Sequence, residues 1–307
     1  MTIRIAIVGV GKIARDQHIP AIAASGAFEL VATASLNSQV EGVPGFRTVE
    51  ELLASGIAID AVALCQPPQV RFDAAWAALS AGKHVFMEKP PGATLSEVQA
   101  LKTLAAAHGL TLFASWHSRF ASGVEEARAW LAGRGIRSVE VEWKEDVRHW
   151  HPGQAWIWQP GGLGVFDPGI NALSIVTAIL PRPFFLGEGT LEFPANRQAP
   201  IAADLRFRDV LGLPIHAAFD WRQTGPQTWD IRVATDEGEL VLSHGGSTLY
   251  IAGVQQPTPA EAEYPGLYAH FATLVQEGRS DVDLAPLRHV ADAFLRGSRK
   301  LVEDFHD

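Results

Sequence analysis

The chain has 307 residues, enough for a sizeable core and two domains at roughly 150 residues each. Its 47% hydrophobic and 19% charged residues are those of a globular protein, and 34 acids against 25 Lys and Arg give a net charge of -9, which argues against a nucleic-acid surface. No apolar run reaches the ~18 residues of a membrane span, the N-terminus lacks a basic leader with a cleavable apolar segment, and a single Cys65 excludes a disulfide framework, so a cytoplasmic protein held by packing is expected.

From residue 3 to about 119, short apolar runs alternate with helical patterns. IRIAIVGV, FELVATAS, IDAVALCQ, HVFMEKP and LTLFASW read as strands, and IPAIAAS, VEELLAS, VRFDAAWAALSAG and LSEVQALKTLAAAHG as helices between them. Strands this apolar imply a parallel sheet covered on both faces, hence an α/β domain.

Gly9-Val10-Gly11-Lys12-Ile13-Ala14 follows the first strand and opens the first helix, matching G-x-G-x-x-A in the context that gives the motif meaning. The first glycine permits the tight turn, the second lets the backbone approach a pyrophosphate, and Ala14 keeps helix and strand close. The helix start adds N–H groups and partial positive charge. A plain tight turn is the alternative. The second strand ends in Ser35-Leu36-Asn37, where an NAD-selective protein usually carries an acid for the ribose 2′-hydroxyl. The missing acid removes repulsion against a 2′-phosphate, but no arginine stands at these three positions, so dual use of NAD and NADP is expected. Cys65, Pro67, Glu88 and Lys89 lie at later strand ends, the edge where open α/β sheets bind ligands, and complete the expected cofactor-binding set. A lysine at a strand end is otherwise simply solvated.

Beyond residue 120 the pattern changes. VEEARAWLAG continues as helix, but SVEVEWKEDV, FLGEGTLEFPA, ADLRFRD, IHAAFDWR, WDIRVATDEGELVLS and STLYIAG alternate with period two and hairpin-like turns, as antiparallel strands do. GINALSIVTAIL and LYAHFATLVQEG interrupt them as helices, and LRHVADAFLRGSRKLVEDF is expected as a last helix able to pack back on the first domain. The expected division is 1–119 and 120–307.

Two stretches of the second half carry chemistry. WKEDVRHWHPGQAWIW holds four of the nine tryptophans, Trp143, Trp150, Trp156 and Trp158, among Lys144, Glu145, Asp146, Arg148, His149 and His151. Aromatic faces stack on sugar C–H faces and the polar groups hydrogen-bond hydroxyls; a core strand followed by a solvated loop is the alternative. In GGLGVFDPGIN, Asp167 before Pro168 makes a good helix start, the acid as N-cap and the proline at the first helical position. Asn171 lies one turn on and on the same side, so both side chains can face one cleft. His117, His149 and His151 with Glu145 and Asp146 show no metal-ligand spacing, and no metal is expected.

The glycine turn at 9 to 14, EKP at 88 to 90 and GGLGVFDPGIN at 161 to 171 resemble, in order and spacing, the Gfo/Idh/MocA oxidoreductases over essentially the whole chain. WHSR at 116 to 119, WKEDVRHWHPGQAWIW and FDPGINALSIV resemble the aldose 1-dehydrogenases of that family that act on D-galactose and L-arabinose. The resemblance implies a Rossmann domain followed by an α+β domain with a large, open, mostly antiparallel sheet that often also builds a homo-oligomer, and no metal. It implies oxidation of an aldopyranose such as D-galactose, L-arabinose or D-fucose at C1 to the lactone, with Lys89 beside the reacting carbon and His117, Glu145, His151 and Trp150 as substrate contacts. The common family pattern places His four residues after the Asp; here Asn171 stands there, and an amide takes no proton at neutral pH. Asp167 is then the expected base, Lys89 the stabilising cation and Asn171 an orienting group. Lys89 as a neutral base is the reverse assignment. Another sugar or inositol dehydrogenase of the family and a noncatalytic NAD(P)-binding regulator are the remaining alternatives.

Overall fold

The computed structural model describes residues 2–306. Six strands build the first sheet: β1 (Ile3–Val8), β2 (Phe28–Ala34), β3 (Gly45–Phe46), β4 (Ala61–Leu64), β5 (His84–Glu88) and β6 (Leu112–Ser115), in the order β3-β2-β1-β4-β5-β6 and all parallel. β4 is buried throughout and β1 nearly so, as a parallel sheet covered on both faces requires. The crossovers carry α1 (Ile19–Ala24), α2 (Val49–Ala54), α3 (Arg71–Ser80) and α4 (Leu95–Ala107), the last started by a reciprocal Thr94–Glu97 capping box. α1 is reached through a π-helical turn, Ala14–His18, a local widening frequent at functional sites. The strand order reverses between β1 and β4, so the turns after them meet at the switch point: Cys65 N–H donates to the Val8 carbonyl.

The second half begins with α5 (Val124–Leu131), β7 (Ile136–Lys144), α6 (Val147–Trp150) and α7 (Phe166–Ile179). It continues through β8 (Phe184–Pro194), β9 (Ala202–Asp209), β10 (Pro214–Asp220), β11 (Thr228–Thr235), β12 (Gly238–Ser243), β13 (Thr248–Ile251) and β14 (Val254–Gln255). The chain ends with α8 (Glu263–Glu277), α9 (Ala285–Arg296) and β15 (Ser298–Val302). Nine strands form one sheet in the order β14-β13-β12-β11-β7-β10-β9-β8-β15, antiparallel except for the β7–β10 and β8–β15 pairs. Val139, Val141 and Trp143 of β7 are buried while the residues between them are not, which is the period-two pattern of SVEVEW made physical.

Three expectations change. The last helix stops at Arg296, because Gly297 is packed so tightly on the Ala293 carbonyl and Leu191 that a side chain would not fit, and its extended backbone turns the chain away; residues 298–302 then pair with the edge of β8. Asp167 is not the N-cap of α7. Gly164 turns at φ +55° under the Pro200 carbonyl, Val165 is already helical, and the helix opens at Phe166 with Asp167 inside its first turn and no side-chain cap bond. The chain also crosses between two compact units more than once: residues up to His117 group with Glu263–Asp283, and Ser118–Ala262 group with the residues from Leu284 on. It is therefore α8, and not the last helix, that belongs to the first unit. Tyr268 and Phe271 explain this, stacking on Phe86, Phe28 and Phe113 in one aromatic core.

Candidate active site

In the first unit, Gly9 has φ +91°, and a Cβ there would meet the Gln66 backbone nitrogen at 2.8 Å and the Cys65 carbonyl carbon at 3.0 Å. The fold alone demands that glycine. At Gly11 a Cβ would meet nothing within 4 Å, so the protein's own packing does not call for glycine there. Open space over a glycine at a helix start fits a dinucleotide pyrophosphate approaching the backbone. Ala14 is buried as the motif requires, Ile13 is exposed, and Lys12 is paired with Asp16. The Cys65–Gln66 backbone stands directly behind Gly9, with Pro67 next in the chain, and Ser35 and Asn37 just past β2 lie in the same unit.

Glu88, at the end of β5, is buried and saturated. Its Oε1 accepts from Tyr264 Oη (2.6 Å) and lies 3.1 Å from His18 Nε2, while Oε2 accepts the Lys89 N–H at 2.6 Å. His18 is fully buried at the end of the π-helical turn, with Nδ1 2.7 Å from Tyr268 Oη. Burial alone would raise the Glu88 pKa, but the hydrogen bond and charge of His18 outweigh it and hold the carboxyl at about 2. Burial likewise opposes the His18 imidazolium, and its contacts with Cys65 and Glu88 overcome that and raise its pKa. The result is a buried ion pair whose carboxylate grips the Lys89 amide. Arg71, also buried, donates to the carbonyls of Gln66, Glu88 and Pro90 and so ties the turn after β4 to the segment carrying Lys89. His117 belongs to this unit: its Nδ1 lies 2.8 Å from Glu263 Oε2 and its ring stacks on Tyr264. Burial works to lower its pKa, and Glu263 and Glu88 reverse that and raise it.

In the second unit, His151 Nε2 lies 3.5 Å from Asp167 Oδ2 and 4.0 Å from Glu145 Oε1. Glu145 and Asp167 are both buried. Glu145 accepts the indole N–H groups of Trp221 (3.2 Å) and Trp229 (2.8 Å). Trp229 in turn packs on Trp143 and on Trp150, which is 37% exposed. Asn171 is half-buried on α7, one turn beyond Asp167. The structure thus joins Glu145, His151 and Asp167 in one cluster and connects Trp150 to it through Trp229. Of the other tryptophans of the 143–158 segment, Trp143 and Trp158 are packed in the interior, and Asp146 caps α6 through the Arg148 N–H.

Sequence reading missed Trp221, Trp229, Arg71, His18 and Tyr264. Trp221, Trp229 and Arg71 sit in segments whose apolar periodicity announced a strand or helix and nothing more, and His18 and Tyr264 lie just ahead of such segments. All but Arg71 join their cluster from 70 to 176 residues away in sequence, a separation no local pattern encodes, while Arg71 reaches carbonyls 5 to 19 residues away.

Among the described residues no helix is long and apolar enough to cross a membrane, and no group of three or more His, Cys, Asp or Glu stands ready to hold a metal ion.

Comparison with known proteins bears on the fold and the family. Residues 3–115 match the Gfo/Idh/MocA oxidoreductase family with an NAD-binding Rossmann fold. Galactose 1-dehydrogenase of Pseudomonas fluorescens is 49% identical over 307 residues, 99% of either chain. The crystal structure of a D-galactose-1-dehydrogenase protein from Rhizobium etli is 63% identical, covers 99% of this chain and 98% of its own, and superposes with a TM-score of 0.96. A 3-ketoreductase from Actinomadura kijaniata, crystallised with NADP and TDP-benzene, shares the fold at a TM-score of 0.83, with 18% identity over 98% of this chain and all of its own. With a Rossmann sheet, a second mixed sheet and near-half identity to a full-length relative, the chain belongs to the Gfo/Idh/MocA family of oxidoreductases.

Proposed function

We propose that this chain oxidises an aldopyranose at C1 to the lactone, with D-galactose as first substrate and L-arabinose and D-fucose, which share its ring stereochemistry at C2 to C4, as others. The observation that carries the reading is the buried Asp167 carboxylate 3.5 Å from His151 Nε2, in a chain 49% identical from end to end to a galactose 1-dehydrogenase. Loss of the proton from O1 and of the C1–H bond's electron pair leaves a carbonyl at C1, which in the ring is a lactone. Asp167 accepts the O1 proton, and Lys89 offsets negative charge as it grows on that oxygen. Asn171 orients the same hydroxyl through its amide. Glu145, His151 and His117 hydrogen-bond the other hydroxyls, and Trp150 offers an aromatic face to the ring C–H groups. NAD or NADP, when bound, would supply the acceptor for the hydride leaving C1. Gly9, Gly11, Lys12, Ile13 and Ala14 would hold its pyrophosphate, Ser35 and Asn37 its adenosine ribose, and Cys65, Pro67 and Lys89 its nicotinamide half, with Glu88 acting there by fixing the Lys89 backbone.

The enzyme works in the cytoplasm, where both dinucleotides are supplied, and self-associates through the second sheet. The deciding assay follows absorbance at 340 nm with D-galactose, L-arabinose, D-fucose and D-glucose, each with NAD and NADP. Fast reduction with the first three and little with D-glucose is expected. Reduction with none of them sinks the reading and favours another family chemistry or a dinucleotide-binding regulator.

A further inference from the structure

The segment after the glycine turn carries a charge whose place is visible only in three dimensions. Arg15 sits within the π-helical turn, and its Nη2 donates to Ser38 Oγ at 2.5 Å and to the Gln39 carbonyl at 2.7 Å. Those bonds lay the side chain against the loop that leaves β2. Among the described residues its Nε and Nη1 have no acceptor and no carboxylate pairs with it. Its neighbours differ: Lys12 is paired with Asp16, and Arg4 with Asp60. Arg15 is therefore an anchored guanidinium with an uncompensated charge and two nitrogens, Nε and Nη1, still able to donate singly.

The loop it touches has the matching chemistry. Residues 35–40 contain no acid, so nothing there repels a phosphate. The Ser38 hydroxyl, accepting from Arg15, retains its own hydrogen to donate, and the Asn37 side chain is exposed. Leu36 is 62% exposed, an apolar surface in the same loop for the flat face of an adenine. The end of the second strand is where the ribose 2′-position of a dinucleotide lies once its pyrophosphate is on the first helix start.

We infer that Arg15, with Ser38 and Asn37, forms the 2′-phosphate subsite through which this chain accepts NADP: Nη2 stays on the loop and holds the guanidinium in place, while an N–H of Nη1 donates to the phosphate and the fixed positive charge attracts it. The inference rests on the dinucleotide reading and deepens its cofactor part, and it is independent of the sugar. An arginine supplied by the helix replaces the one absent from positions 35–37, and NAD still binds because its 2′-hydroxyl needs no cation.

The test is equilibrium binding without sugar, by tryptophan fluorescence or calorimetry, of NADP, NAD and 2′,5′-ADP to the wild-type chain and to Arg15→Ala and Arg15→Lys. Arg15→Ala is expected to weaken NADP and 2′,5′-ADP at least roughly tenfold and to leave NAD within about twofold, with Arg15→Lys intermediate because it keeps charge and loses the anchorage of a planar guanidinium on the loop. Equal weakening of NADP and NAD overturns the proposal by placing Arg15 on the pyrophosphate. No change for either overturns it too, reducing Arg15 to a clamp on the loop. Since no sugar enters the experiment, failure to oxidise D-galactose and failure of this subsite are read separately.

Discussion

Glu88 and Glu145 are both buried to 3% exposure, yet they are neutralised in different ways. Glu88 meets an imidazolium, a phenol and the Lys89 amide, all within 3.1 Å. Glu145 meets two neutral indole N–H groups, with His151 Nε2 at 4.0 Å, beyond hydrogen-bond length. A carboxylate closed on a cation fixes the backbone it belongs to, here the residue bearing the proposed cation of the reaction. A carboxylate held by indoles sits instead among aromatic faces and beside a second acid, the setting in which sugar hydroxyls and C–H faces are received. In the proposed reaction, the first cluster positions, and the second recognises the sugar and moves a proton.

The largest effect separating the two belongs to Asp167→Asn. The amide keeps the size of the side chain and loses the proton acceptor, so kcat with D-galactose is expected to fall by about 10^2 to 10^4 with the melting temperature near that of the wild type. Steady-state rates beside a thermal melt check this. A rate within a factor of a few of wild type would move the base elsewhere, with Lys89 and His151 next in line.

Glu88→Gln sharpens the other side. Removing one member of a buried pair leaves the other charge uncompensated, at roughly 3 to 5 kcal/mol of stability. The pH dependence carries the signature. Glu88 has a depressed folded pKa, so its stabilisation is present above its unfolded value of 4.5 and is lost as pH falls toward about 2; the shift corresponds to roughly 3 kcal/mol. His18 has a raised one, so its share is complete below its unfolded value of 6.5 and is lost as pH rises above it. Calorimetric melts from pH 6 to 3 should show a steeper loss for wild type than for Glu88→Gln. Parallel losses would mean the pair is not ionised in the fold.

A contrast inside the glycine turn comes next. Gly9→Ala forces a Cβ onto the Gln66 backbone at a left-handed φ and is expected to cost about 1 to 3 kcal/mol, whichever ligand is present. Gly11→Ala meets no protein atom, so stability should hold within about 0.5 kcal/mol while dinucleotide affinity falls at least roughly tenfold. Melts and binding titrations of the two variants separate a glycine needed by the fold from one needed by the ligand. Equal binding by Gly11→Ala and wild type would remove the pyrophosphate from this turn.

These contrasts explain which parts were legible in the chain and which were not. The β1–Gly9 turn and the strands from SVEVEW on announce themselves because each is a turn that only glycine can make or a local periodicity, whereas EKP stands out by its place at a strand end and by the family resemblance. Residues 298–302 did not: SRKLV continues a helical pattern, and only the open edge of β8 and the tight seat of Gly297 turn it into strand. The role of α8 was hidden for a similar reason, since its amphipathic pattern says that one face is buried and not against what. Asp167 and Asn171 were placed on one helix correctly, but the cap reading failed on the backbone of Val165, two residues upstream. Within the second cluster Glu145 and His151 came from one segment, whereas the indoles that hold Glu145 arrive from residues 221 and 229, a proximity created by pairing β7 with β10 and β11.

Those indoles give the smallest of the expected effects and the most direct check on how the second cluster works. Trp229→Phe keeps an aromatic ring against Trp143 and Trp150 and deletes the N–H that Glu145 accepts at 2.8 Å. A hydrogen bond to a charged group contributes on the order of 1.5 to 3 kcal/mol, and Trp221 still holds the other oxygen, so the lower end applies. If Glu145 is a sugar contact, its loosened carboxylate should raise KM for D-galactose about five- to tenfold and leave kcat within about threefold, because ground state and transition state lose the contact alike. A fall in kcat at unchanged KM would mean the reverse: Glu145 would be acting on the proton through His151 and Asp167, and the carboxylate assigned here to recognition would belong to the chemistry.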